Sequence, residues 1–128
     1  MSWKDILKES LGPVTEYHGT LDLNRVLKFG INGSSPQSRS KRYVPVKLRE
    51  ADKITYTAKD LNAVIEFIKR RAKQTKTKLK DCGVVGVMGT TLPPAIEHDD
   101  GMLGVPSYVR EGGIPRKYLV DMQVEFEE

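Results

Sequence analysis

Apolar residues recur at helical spacing in two stretches of the chain. In the first, Trp3, Ile6, Leu7 and Leu11 share one face. Ser2 stands at the cap, Asp5 three residues on completes a capping box, and Gly12-Pro13 ends the element. Trp3 is expected to anchor this short helix to the core. The second stretch is the stronger: Leu61, Val64, Ile65, Ile68 and Ala72 form a stripe to which Leu79 returns, with Lys59, Glu66, Lys69, Arg70 and Lys73 off it. Thr57 is the expected cap, Asp60 the capping-box residue, and Tyr56 with Leu61 a hydrophobic staple, so a helix is predicted from there out to Lys80.

Strand spacing governs much of the rest. Leu27, Phe29 and Ile31 alternate with Val26, Lys28 and Gly30, and Val44, Val46 and Leu48 alternate with Tyr43, Lys47 and Arg49. Between them, residues 34–42 contain no apolar side chain other than Pro36. Residues 25–49 therefore predict a long β-hairpin with a basic, serine-rich tip, and Pro45 puts its second strand at a sheet edge. Val84, Val85, Val87 and Met88 predict a buried strand, residues 102–110 a weaker one, and Tyr118, Val120, Met122, Val124 and Phe126 a half-buried antiparallel one. Residues 13–24 are ambiguous: Tyr17, Leu21 and Leu23 fit a strand, His18-Gly19 a turn. The order of elements predicts a single α+β domain over residues 1–128, with two helices packed on a mostly antiparallel sheet and the hairpin projecting as an arm.

A chain of 128 residues has room for one core. Its lone Cys82 makes no internal disulfide, which suits a reducing compartment. The polar start, Met1-Ser2-Trp3-Lys4-Asp5, gives no sign of a signal peptide, and no apolar run approaches the ~20 residues of a membrane span. A cytoplasmic location is expected.

Charge changes the picture most. The net charge of +4 conceals an asymmetry: residues 1–96 hold 18 basic and 9 acidic side chains, residues 97–128 hold 3 and 8. Between positions 69 and 80 stand Lys69, Arg70, Arg71, Lys73, Lys76, Lys78 and Lys80 with no acid among them. A helix C-terminus welcomes cations at about 0.3–1 kcal/mol each. That explains the last turn and not seven mutually repelling charges. Arg39, Lys41, Arg42 and Lys47 add a second basic group near the predicted hairpin tip, among serines suited to donate to phosphate.

Other constellations carry less. Gly83-Val84-Val85-Gly86-Val87-Met88-Gly89 follows a predicted helix and lacks the Gly-Lys-Ser/Thr of a phosphate loop, so close packing in a core strand is the better account. Its Gly-x-x-Gly does not lie between two helices as a KH loop requires. Glu97-His98-Asp99-Asp100-Gly101 gathers ligand types too close in sequence to converge on one ion, and Asp100-Gly101 predicts a turn. Nothing near Cys82 would lower its pKa. No catalytic residue, metal site or cofactor is assigned.

These patterns point to a non-catalytic module that engages nucleic acid backbone, or another polyanion, through Arg39, Lys41, Arg42 and Lys47 on the arm and Lys69, Arg70, Arg71, Lys73, Lys76 and Lys78 on the helix. The alternative is a structural protein of a virion or other repetitive complex, self-associating through its oppositely charged ends. A small enzyme of undefined reaction ranks third.

Overall fold

The computed structural model describes residues 12–88, 92–99 and 104–126. The helix predicted over residues 2–11, with Trp3, lies outside them. The described elements run β1 (Val14–Thr20), α1 (Leu23–Phe29), β2 (Ile54–Thr57), α2 (Leu61–Thr75), β3 (Gly83–Met88), β4 (Ile96–His98), β5 (Ser107–Glu111) and β6 (Leu119–Asp121), with five short 3₁₀ turns between them. All strand pairs are antiparallel, in two three-stranded sheets ordered β1-β3-β6 and β2-β5-β4. The domain is α+β, as the pattern predicts, with its strands divided between two sheets rather than gathered in one.

β3 is the centre of the first sheet and is buried along its whole length. Alternate residues face opposite layers. Val84 packs with Ala58 and Val64 below α2, while Val85 and Val87 pack with Ile31, Ile114 and Leu119 beside α1. A strand covered on both faces needs no polar alternation, hence the run of valines. Gly86 admits the Met122 sulfur and Val14, which would stand 2.7 and 2.8 Å from an added Cβ. Close packing is thus what Gly86 provides, as does Gly83, where the Leu23 side chain would stand 2.6 Å from an added Cβ. The second sheet has its own small core of Val44, Leu48, Ile54 and Val109.

Among the described residues, the two sheets are stitched by one exchange of backbone hydrogen bonds. Tyr17 N–H donates to the Ala58 carbonyl at 2.7 Å, and Ala58 N–H donates back to Tyr17 at 2.9 Å. Close by lies a buried ion pair: Arg110 Nη2 contacts Glu16 Oε2 at 2.6 Å and Oε1 at 2.7 Å, and the Thr57 hydroxyl donates to Glu16 Oε1.

The predicted hairpin arm over residues 25–49 does not form. Its first half is α1, capped by Asp22, whose side chain accepts from the Arg25 N–H at 3.2 Å. Its second half is three 3₁₀ turns, Pro36–Ser38, Lys41–Tyr43 and Val46–Leu48, two of them begun or preceded by proline. Those turns lay Val44 and Leu48 onto the second sheet and leave Val46 74% exposed, which a strand with all three on one face would not do.

Four further expectations differ. Asp60, not Thr57, caps α2, its carboxylate accepting from the Ala63 N–H at 3.0 Å; Thr57 belongs to β2. α2 stops at Thr75 because Lys76 takes a left-handed conformation with φ of 57°, so Lys78 and Lys80 are not helical extensions of the stripe. β6 ends at Asp121, and Gln123 follows with φ of 53°. β1 runs straight through His18-Gly19, with no turn there. No described helix is long and apolar enough to cross a membrane.

A candidate anion-binding cleft

Beyond the Tyr17–Ala58 stitch, β1 and β2 part, and a cleft of about 740 Å³ opens between them. The far end is closed by residues 30–34, where Ser34 exchanges backbone hydrogen bonds with Ile54, at 2.9 Å each. α1 forms one wall through Arg25 and Val26, and α2 another through Phe67, Arg70, Arg71 and Gln74. Each helix is held there by its apolar stripe. Ile68 of α2 seats against Gly19 of β1, and Leu23 of α1 against Gly83 of β3.

His18 projects into the gap between the strands. Its Nδ1 lies 2.7 Å from the Tyr56 carbonyl. A carbonyl only accepts, so the neutral ring carries its proton on Nδ1 and keeps Nε2 as an acceptor. Desolvation lowers the pKa of His18, the bond to Tyr56 opposes that shift, and the positive charge of Arg39 adds to it. Arg39 follows the first 3₁₀ turn, as its C-cap. Its Nε donates to the Ser34 hydroxyl at 3.2 Å, and its guanidinium lies 4.6 Å from the centre of the Tyr56 ring. The Tyr56 hydroxyl in turn donates to the Tyr43 carbonyl, tying the connecting segment to the cleft.

Four arginines therefore border one recess from three elements: Arg25 from α1, Arg39 from the connection, Arg70 and Arg71 from α2. The acid among the lining residues is Asp22, already engaged as the cap of α1. Ser34, Thr55, Ser107 and Gln74 line it as well, the Thr55 hydroxyl donating to the Gly112 carbonyl at 2.6 Å. Such a wall offers charge-assisted donors to an anion and apolar flanks to whatever carries it.

The structure distributes the basic residues singled out from sequence over separate places. Arg39, Arg70 and Arg71 meet at the cleft. Lys41, Arg42 and Lys47 border a different depression with Arg49, Ile96 and His98. Lys69 pairs with Glu66 at 3.5 Å on the surface of α2. Lys73, Lys76 and Lys78 are exposed at the end of that helix, outside the cleft lining. The sequence assigns no binding role to Arg25, His18 or Tyr56; Tyr56, read there as a staple to Leu61, lies in β2 and packs in a different cluster from Leu61. The Asp22 cap three residues before Arg25 is the signal that could have placed Arg25 on a helix.

Of the acidic stretch near His98, Asp100-Gly101, with the turn expected there, lies outside the described residues. Glu97 and His98 lie on β4, and the His98 Nε2 donates to the Arg42 carbonyl at 2.7 Å. No three His, Cys, Asp or Glu side chains among the described residues come together as a metal site. Cys82 is buried, and desolvation together with Asp81 pushes its thiol pKa up, away from nucleophilic reactivity. No protein-family model, curated protein or solved structure matches the chain.

Proposed function

We propose that this protein is a non-catalytic binding module that engages the phosphate backbone of nucleic acid through the cleft between β1, α1 and α2. One observation carries the reading: Arg39 of the connecting segment and Arg70 and Arg71 of α2, far apart in sequence, border the same recess together with Arg25. Each phosphate neutralised there releases condensed counterions, so affinity falls steeply as salt rises. The exposed Lys73, Lys76 and Lys78 extend the positive field beyond the recess and raise the rate of encounter. The lone buried cysteine suits a reducing cytoplasm.

A gel-shift series with single-stranded and duplex oligonucleotides, run from about 50 mM to about 200 mM salt, tests the reading. Binding at the low end that is lost at the high end supports it. Absence of binding at low salt overturns it. Light scattering on the same samples without nucleic acid measures self-association, and growth in size with concentration would favour an assembly role instead.

A further inference from the structure

We infer that the ligand of the cleft is a single strand, with one unpaired nucleotide sunk into the recess and its phosphate held by Arg25, Arg39, Arg70 and Arg71. The inference rests on the backbone-binding reading and narrows it to one class of nucleic acid.

The shape of the basic surface decides between strand and duplex. A duplex is gripped by a protruding helix or ribbon that enters a groove, or by an arm that wraps it. Residues 25–49 would have supplied that arm as a hairpin, but they fold down as α1 and three 3₁₀ turns. The arginines instead rim a concavity of about 740 Å³. That is within the range of about 300–1,000 Å³ typical of pockets that enclose a small ligand, and a base pair stacked in a helix cannot enter it. An unpaired base can, because single strands splay their bases outward.

The interior matches a base rather than a bare phosphate. Val26 and Phe67 offer apolar surface to a ring face. Hydrogen-bonding groups of both kinds belong to the lining residues: the donor and acceptor of the exposed Gln74 amide, and the Nε2 acceptor that the Nδ1 bond to Tyr56 leaves on His18. A base edge presents both donors and acceptors, whereas a phosphate offers acceptors alone, so an acceptor such as His18 Nε2 has no use for it. Arginine at the rim and base within is the arrangement by which single strands are held with little sequence choice.

Fluorescence anisotropy tests the inference with a labelled single strand of about a dozen nucleotides, in DNA and RNA forms, and the duplex of the same DNA sequence. The single strand is expected to bind at least about tenfold more tightly than the duplex at about 50 mM salt. R25A/R71A is expected to lower single-strand affinity about tenfold or more, and K76A/K78A, which changes charge outside the cleft, less than about threefold. Circular dichroism checks that both variants fold. A 2-aminopurine base within the strand should change its emission on binding to wild type and not on mixing with R25A/R71A. Equal affinity for strand and duplex, with the greater loss in K76A/K78A, overturns the single-strand inference and leaves backbone binding standing. No binding to any of the probes removes both.

Discussion

Arg110 and Glu16, separated by 94 positions in the chain, form an ion pair inside the protein in which the one nitrogen Nη2 reaches both carboxylate oxygens, with Arg110 3% exposed. The pair sits where the two sheets are stitched. Thr57 supplies a further hydrogen bond to the carboxylate, while Arg110 Nε and Nη1 have no partner among the described residues. Replacing one member leaves the other buried and unpaired. Arg110→Met should therefore cost about 3–5 kcal/mol, and Glu16→Gln should be severe as well. Replacing both with apolar residues of matching volume should recover much of the loss, because two desolvated charges disappear together. Urea denaturation of the two single variants and the double variant measures this. Additive losses would show that the pair is not an energetic unit.

His18 makes stability depend on pH in a defined direction. Burial holds its pKa below the ordinary value of 6.5, with the Arg39 charge acting the same way against the opposing Tyr56 bond. Below pH 6.5 the unfolded chain takes up a proton that the folded protein resists. The stability from this group is complete above pH 6.5, falls as the pH drops through that value, and levels off below the folded-state pKa. Melting temperatures from about pH 7.5 down to about pH 5.5 should decline in wild type and decline less in His18→Gln. An unchanged slope in the variant would assign the dependence to other groups.

The caps of α2 offer a sharper comparison. Asp60 accepts from the Ala63 N–H, so Asp60→Ala should cost about 0.5–2 kcal/mol. Thr57 caps nothing. Its hydroxyl serves the buried Glu16 carboxylate, so Thr57→Val should destabilise through lost solvation of that charge, by about 1–3 kcal/mol, without fraying the helix. Amide exchange at the first turn of α2, faster in the first variant alone, separates the two.

Gly19 lets α2 lie against β1. An added Cβ would stand closer than 3.0 Å to Ile68 and 3.1 Å from Val64. Gly19→Ala should cost about 1–3 kcal/mol from overpacking and should perturb the cleft wall that α2 provides. Adding Ile68→Ala opens the space, so the glycine substitution should cost less in that background. Equal costs in both backgrounds would mean that the contact is not limiting.

The two long elements α2 and β3 were legible in the sequence; the short ones were not, and the alternation from Tyr118 to Phe126 yields only the three residues of β6. The α2 stripe spans enough turns that only a helix explains it, and the β3 run can only be buried. Over residues 23–29 the two periods coincide: Leu27, Phe29 and Ile31 satisfy a strand, while Leu23, Val26 and Leu27 satisfy a helix capped by Asp22. Phe29, 62% exposed, shows which period the fold obeys. Val44, Val46 and Leu48 misled for a related reason, since two residues four apart can be buried by consecutive 3₁₀ turns as well as by a strand. The strands β2 and β4 hold four and three residues, too few for alternation to register. Half of the cleft followed from charge: Arg39, Arg70 and Arg71 stood out as basic residues in basic surroundings. Arg25 and His18 did not, because their place on the cleft lining arises from the parting of β1 and β2, a relation between strands that no local pattern encodes.

The salt dependence of single-strand binding tests the cleft most directly. For a single strand the slope of log affinity against log salt is about −0.7 for each phosphate neutralised. The account predicts that R25A/R39A, substitutions on the cleft rim, makes the slope less steep by about 1.4 relative to wild type. A slope unchanged in that variant, with wild-type affinity retained, would show that the arginines of the cleft do not meet phosphate.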